Sequence, residues 1–368
     1  MSLKFPPLEF IGMIQPRLQS EIHPPSGQSI HPDYLRDSVL AHEDGGFDRI
    51  LIGWFSNGPD GLQIAAHAAA YSKRISLLVA HRPGFMAPTN AARAYATLDQ
   101  LSNGRAAIHI ISGGDDVDQA RDGDWTTKDE RYARTDEYVD ILKSVWTADK
   151  PVDFEGQYYR VKGAMPDVRS VQKPRIPVYF GGASDAAIRT AGKHADVYML
   201  WGETPDQVRE IVSRVNAEAA KHNRTIRFSL SFRPILAETE ERAWQRAEDI
   251  RADILRTREK LGMGAANLAP ANAGSQRLLA AAAQGDRIGR LWTGAALATG
   301  GRGNTTALVG TPEQVAETLL EYYALGVSTI LVRGFHPLED AVEYGRSLIP
   351  AAKHMLAQRQ AQGGARAA

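Results

Sequence analysis

Near the middle of the chain, Phe180-Gly181-Gly182-Ala183-Ser184 closes an apolar run with two glycines and a hydroxyl residue. Such a turn leaves backbone N–H groups free at the start of the next helix, where they can bind a phosphate with the Ser184 hydroxyl as a further donor. A plain tight turn between strand and helix accounts for the same letters. A second group is cationic: Arg233, Arg302 and Arg333, with His336 as a nearby titratable residue. Guanidinium groups converging in a cleft suit a sulfonate, carboxylate or phosphate, because each can grip such a group through two parallel hydrogen bonds. The alternative is that they pair with carboxylates such as Glu203 or Glu339. Other candidates stand where apolar runs end: Ser56 with Asn57, Ser112 with Gly113, and Trp201 as a pocket wall. Their plainer readings are a polar loop, a strand-ending turn and core burial. The chain has no cysteine, which removes disulfides, thiolate metal sites and cysteine nucleophiles. Its ten histidines show no metal-ligand spacing, so no metal site is expected.

These residues need a scaffold. Short apolar runs rich in β-branched residues recur at Leu8–Ile14, Arg49–Gly53, Ile75–Ala80, Ala106–Ser112, Pro177–Gly181, Ala195–Leu200, Arg227–Ile235 and Ser328–Arg333. Near-continuous apolar runs suit strands buried on both faces. Amphipathic stretches lie between them, including Pro32–Asp44, Thr204–His222 and Thr311–Leu325, the last opening with an N-cap threonine and a proline at the first helical position. Pro88 starts another helix, which Ser102-Asn103-Gly104 stops. Eight strands alternating with helices favour a closed (β/α)8 TIM barrel over a doubly wound open sheet. The long gaps 112–177 and 235–328 then read as insertions on the C-terminal face, where active sites of such barrels sit. The second gap contains Gly- and Ala-rich stretches with few large residues, and 262–305 reads as a mobile insertion able to close over a substrate, or as an ordinary surface loop. Residues 1–357 are expected to form a single domain and 358–368 a flexible tail.

The bulk numbers narrow the class. The 368 residues, 43% of them hydrophobic, can bury a substantial core. Lys plus Arg and Asp plus Glu each number 43, which gives no support for nucleic acid or an anionic membrane as partner. No signal-peptide pattern and no membrane-spanning apolar run is visible, so a cytoplasmic protein is expected.

The wording around the strand ends carries a resemblance. His81-Arg82-Pro83-Gly84, the run Ala87 to Arg93 and the run Thr97 to Arg105 lead into Ile111-Ser112-Gly113-Gly114-Asp115. Then come Asp129-Glu130-Arg131-Tyr132, Val152-Asp153-Phe154-Glu155-Gly156, the Phe180 turn, Trp201-Gly202-Glu203-Thr204-Pro205 and Thr306-Ala307-Leu308-Val309-Gly310. In this order the segments resemble the bacterial luciferase-like flavin monooxygenases, especially their alkanesulfonate monooxygenase branch. The likeness spans most of the chain. It implies that Gly182, Ala183 and Ser184 hold the FMN phosphate with Tyr132 and Lys128. Family members often have histidine where Lys128 stands. It also implies that Ser56, Asn57, Ser112 and Gly113 border the flavin ring.

The substrate positions depart from the sulfonate pattern. That branch usually carries an Arg-x-His pair on the seventh strand, where this chain has Ser231 and Arg233; after the eighth strand it has Gly-Tyr-Pro-His, where this chain has Gly334-Phe335-His336-Pro337. Arg302 follows its glycine pair instead of preceding it. The resemblance implies a two-component enzyme that takes FMNH2 from a separate NAD(P)H-dependent flavin reductase. With O2 it would cleave the carbon–sulfur bond of a small anionic organosulfonate, giving sulfite and an aldehyde. Arg233, Arg302 and His336 would assist catalysis, and Trp201, Arg233, Arg302 and Arg333 would hold the substrate. A non-sulfonate anionic substrate, a deazaflavin-dependent dehydrogenase and a non-catalytic flavin-binding protein are the competing readings. Members of the family are commonly homodimers or homotetramers.

Overall fold

The structure, a computed structural model, describes residues 6–112, 115–266, 269–270 and 272–366. Eight parallel strands form a closed barrel: β1 (Glu9–Ile14), β2 (Arg49–Ile52), β3 (Ser76–His81), β4 (Ala106–Ile110), β5 (Val178–Gly181), β6 (Val197–Trp201), β7 (Arg227–Phe232) and β8 (Val327–Val332). Each expected apolar run overlaps one of them, with β3, β6 and β8 each extending one residue past the expected bounds. The (β/α)8 architecture is therefore the fold. Burial on both faces explains the continuous apolar lettering: all six residues of β8 and five of six in β3 are buried. Two compact units divide the chain, Met1–Asp48 with Leu200–Val212 and Arg227–Ala368, and Arg49–Met199 with Ser213–Ile226.

In the unit built on Arg49–Met199, β2, β3, β4 and β5 pair in chain order, in parallel. Helix α1 (Pro32–Asp44) belongs to the other unit; α2 (Gly61–Tyr71) and α3 (Pro88–Leu101) follow β2 and β3 here. Ala91, Ala92 and Ala96 of α3 are fully or almost fully buried, and Asn103 and Gly104 end the helix with positive φ, as the sequence predicts. The 112–177 gap holds the short helix α4 (Asp116–Arg121), the long helix α5 (Lys128–Thr147) and a hairpin of Val152–Glu155 with Arg160–Ala164. α5 opens with a capping box between Thr127 and Glu130. α6 (Asp185–His194) connects β5 to β6.

In the other unit β8 pairs with both β1 and β7. Helix α7 (Pro205–Ala220) leads toward β7, and the 235–328 gap is more ordered than its lettering suggests. It contains α8 (Glu240–Lys260), α9 (Ala273–Ala282), α10 (Gly294–Thr299) and α11 (Pro312–Ala324). A small sheet orders Ile235–Leu236, Ala307–Gly310, Leu291–Trp292 and Arg287–Ile288. Trp292 is fully buried among Ala243, Ala247, Ile250, Ala295 and Ala298. Alanine is the best helix former, and its small side chain lets α8 and α10 approach closely; a loop-like composition is thus a close-packed one. After β8 come α12 (Pro337–Glu343) and α13 (Ile349–Arg366). Among the described residues no helix is long and apolar enough to cross a membrane.

Candidate active site

The expected phosphate turn lies at the C-terminal end of β5. Gly182 has φ +132°, and a Cβ placed there would stand 2.8 Å from the Ala187 Cβ and 3.3 Å from the Tyr132 hydroxyl oxygen. A side chain at this position would fill the cradle. Ser184 caps α6, its hydroxyl accepting from the Ala187 N–H at 3.3 Å. Tyr132, buried on α5, is hydrogen-bonded to Ser184, and burial pushes its phenol up from the usual range against that bond. The Tyr198 hydroxyl donates to the Gly182 carbonyl and fixes the turn from below. Ala183 is half-buried beside them. Lys128 is the first residue of α5 and exposed. The first N–H groups of a helix have no intrahelical acceptor, so the start of α6 offers donors and a partial positive charge.

The same unit supplies the polar residues expected around a ring. Ser56, half-buried after β2, donates to Asp118, which also receives Arg82 from the end of β3. Asn57 is exposed in the same turn. Ser112 is buried after β4, and its hydroxyl has no hydrogen-bond partner among the described residues. Gly113 lies outside the described residues. His109 of β4 is a polar residue that spacing did not single out. The Arg49 guanidinium lies over the Tyr179 ring at 5.5 Å, and since β2 and β5 are not neighbours, Tyr179 points inside. His109 shares the register of Tyr179 and so its face. Its Nδ1 lacks a partner among the described residues, and burial lowers its pKa to about 4, keeping it neutral. A cavity of about 460 Å³ between Gly84, Trp125 and Arg134 involves none of the residues expected at the site.

Helix α4 and its flanks are strapped to this unit by three arginines: Asp116 to Arg131 at 2.6 Å, Asp118 to Arg82, and Asp124 to Arg134. The strap is what occupies the Ser56 hydroxyl.

The cationic group belongs to the other unit, where Glu21 organises it. Arg233, just after β7 and fully buried, donates to Glu21 at 2.5 Å, to the Gly334 carbonyl at 2.8 Å and to the Arg333 carbonyl at 3.3 Å. Its guanidinium stacks on Phe335 at 3.7 Å. The carboxylate partner is thus neither Glu203 nor Glu339. Arg333 donates to the other Glu21 oxygen at 2.8 Å and reaches the Met13 sulfur at 3.8 Å, while its Nε has no partner among the described residues. Burial works to raise the Glu21 carboxyl, but the two arginines override it and hold it at about 2. His336 occupies the position before α12 without a side-chain capping bond, and its Nδ1 lies 2.9 Å from His23 Nε2, so one proton sits between two rings. Burial and His336 lower the His23 pKa.

Arg302 stands apart from that group in the chain, exposed between Gly301 and Gly303, both left-handed. No ion pair to Arg302 exists among the described residues. Trp201, half-buried at the end of β6, is packed by α9: a Cβ on Gly274 would come within 2.7 Å of its ring. Beside it Glu203 is buried and bound by Arg277, with Nε 2.9 Å from both carboxylate oxygens, so its charge is already matched. Ser231 is buried within β7.

Polar side chains at the C-terminal ends of barrel strands are the expected location of an active site. The family model of luciferase-like monooxygenases matches residues 8–329. The chain belongs to the luciferase-like monooxygenase family. Solved structures of similar fold include a riboflavin lyase with modified FMN and its substrate riboflavin, at 20% identity and TM-score 0.76, covering 95% of this chain and 92% of that one. EDTA monooxygenase from Chelativorans sp. BNC1 gives 18%, 0.75, 95% and 94%. The coenzyme F420-dependent tetrahydromethanopterin reductase from Methanopyrus kandleri gives 19%, 0.69, 94% and 99%. At these identities the likeness concerns the fold. The family places the chain among oxidoreductases.

Proposed function

We propose that this luciferase-like protein is the oxygenating component of a two-component system, using FMNH2 from a separate NAD(P)H-dependent flavin reductase. The observation that carries the reading is the cradle of Gly182, Ser184 and Tyr132 at the start of α6, too tight for a side chain and rich in donors. A phosphate monoester fits this donor set, with Ala183 lining it and Lys128 adding positive charge. Ser56, Asn57, Ser112, Gly113 and His109 would border the ring, and the partnerless Ser112 hydroxyl and His109 Nδ1 suit its polar edge. Bound reduced FMN would supply the activation of O2.

The substrate side follows from which cations are free. Arg233 is engaged on three sides and fully buried, so it acts by holding Glu21 and through it Arg333. Arg333, with an unused Nε, and exposed Arg302 are the groups left to bind a small anion, with Trp201 as an apolar wall. The turn around Arg302 would close over the site. His336, bridged to His23, would hold and release a proton at its ring. On this reading the reaction is cleavage of the carbon–sulfur bond of an organosulfonate, releasing sulfite and an aldehyde. A second reading, a non-sulfonate anionic substrate, is favoured by the fully engaged Arg233 and the buried Ser231, which leave β7 without a free cation. Residues 1–357 would act as one catalytic domain, in a cytoplasmic homodimer or homotetramer.

Anaerobic titration with FMNH2 beside aerobic titration with FMN tests the cofactor. Preferential binding of the reduced form is the expected result, and failure to bind it overturns the proposal. A sulfonate panel with a flavin reductase present then decides the substrate: sulfite release supports desulfonation, whereas O2-dependent turnover of another anion without sulfite supports the second reading.

A further inference from the structure

On the outer helices of the Arg49–Met199 unit, far along α5 from Tyr132, lies a half-buried amine that the flavin chemistry does not use. Lys143 on α5 places its Nζ 3.3 Å from His194 Nδ1 at the end of α6. The other imidazole nitrogen, Nε2, lies 2.8 Å from Asp136 Oδ1. A carboxylate there requires an N–H on Nε2, which leaves Nδ1 as an acceptor facing the amine. His194 is fully buried, and Lys143 has no carboxylate partner among the described residues. The neighbouring carboxylates are spoken for. Lys193 bridges Asp136 at 2.8 Å and Asp140 at 2.7 Å, occupying the place a metal ion would take among Asp136, Asp140 and His194. Asp196 is held by Arg175 at 2.6 Å and by Arg224 at 3.0 Å.

The amine therefore stands beside a base oriented by a carboxylate, which is the arrangement that activates a nucleophile. Its surroundings disfavour a cation there. Burial, then Arg175 and Arg224, lower the Lys143 pKa to about 7 against the opposing pull of Asp196 and Asp140. We propose that the Lys143 amine is a carbamylation site for carbon dioxide, with His194 as the proton acceptor. The Nζ lone pair forms a bond to the carbon of CO2, and one C=O π pair moves onto oxygen. The N–H proton passes to His194 Nδ1, where Asp136 stabilises the imidazolium, and leaves through the half-exposed rim of Lys193, Asp136 and Asp140. The balance is one amine and one CO2 to one carbamate and one proton, with no change of oxidation state. The carbamate places a negative charge toward Arg175 and Arg224, which repelled the ammonium. CO2 suits the site because it is small and apolar.

The test uses the full chain equilibrated with 13C-labelled CO2 and bicarbonate at pH 7.5, carbamates trapped by O-ethylation, and peptide mass spectrometry. At that pH an amine titrating near 7 is mostly unprotonated, whereas an ordinary lysine near 10.4 is unprotonated about once in a thousand. The expected result is at least tenfold higher trapped carbamate on Lys143 than on exposed Lys150, Lys162 and Lys221. Competitive acetylation of the same protein across pH should give half-reaction of Lys143 near pH 7. Trapping on Lys143 no greater than on the exposed lysines overturns the proposal, as does half-reaction near pH 10. Both readouts use the unmutated protein, so they do not depend on a variant folding.

Discussion

Replacing Glu21 by glutamine removes one negative charge and leaves the side-chain shape almost unchanged. In the folded protein Arg233 and Arg333 overcome burial to hold this carboxyl at about 2 against an ordinary 4.5. At ~1.4 kcal/mol per pKa unit that difference corresponds to about 3 kcal/mol of stability at neutral pH. The arginine side differs: burial and Arg333 push the Arg233 guanidinium down to about 10, with Glu21 opposing. Arg233 stays charged at pH 7 all the same, so the carboxylate governs what the substitution costs. Glu21→Gln leaves a fully buried cation next to Arg333 without its counter-charge, and breaking a buried pair from one side costs ~3–5 kcal/mol. With an unfolding entropy of ~2.1 cal/mol/K per residue, about 3 kcal/mol over 368 residues lowers the melting temperature by roughly 4 °C. Because the folded pKa is depressed, this stabilisation is complete above about pH 4.5 and is lost as pH falls through about 2. The difference between wild type and variant should therefore shrink over that window. Thermal unfolding by circular dichroism at pH 7 measures it. Adding Arg233→Met to Glu21→Gln removes the stranded charge and should recover part of the loss. A single variant melting within a degree of wild type, or a double variant less stable than the single, would refute the argument.

Ser184→Ala and Tyr132→Phe should each weaken FMNH2 binding about tenfold or more, since hydrogen bonds to charged groups contribute ~1.5–3 kcal/mol; anaerobic titration reads this directly. Arg333→Met should raise KM for an anionic substrate at least tenfold with a smaller effect on kcat, and Arg302→Ala should do likewise; unchanged steady-state kinetics in both would remove the arginines from the substrate site. Burial keeps His42, His81 and His109 neutral, with pKa values of about 4, below the unfolded value near 6.5. The unfolded chain takes up these protons first, so stability should fall with pH between about 6.5 and 4, by up to ~4 kcal/mol per pH unit for three protons. Urea midpoints at pH 7 and pH 5 check the sign; an equal or higher midpoint at pH 5 would contradict it.

The barrel was legible because a strand buried on both faces has to be apolar throughout, and the eight runs announce themselves without reference to one another. Helix ends were legible for a similar reason: Thr311 with Pro312, and Asn103 with Gly104, act on neighbours only a few residues away. The 262–305 stretch was harder. Its alanines carry no periodic contrast, and burial of Trp292 against α8 depends on chain some 40 residues distant. A helix signal was nonetheless present, since Asn272 caps α9 by accepting from the Ser275 N–H at 2.7 Å.

Glu21 marks the limit of such reading. It sits in an irregular Pro- and Ser-containing segment after β1, and its partners Arg233 and Arg333 lie 212 and 312 positions away. No spacing rule links residues that meet only because β1, β7 and β8 lie together in the sheet order. The count of arginines was readable from sequence, but their availability was not, because one carboxylate decides it. With Glu21 in place, the three cations perform different tasks. Arg233 spends its donors on the protein, Arg333 keeps one nitrogen spare, and Arg302 is held by no carboxylate among the described residues. A sulfonate site assembled from Arg333 and Arg302 would differ from one built on a β7 pair. Substrate selectivity is therefore expected to respond to Glu21, which orients Arg333, more than to Ser231.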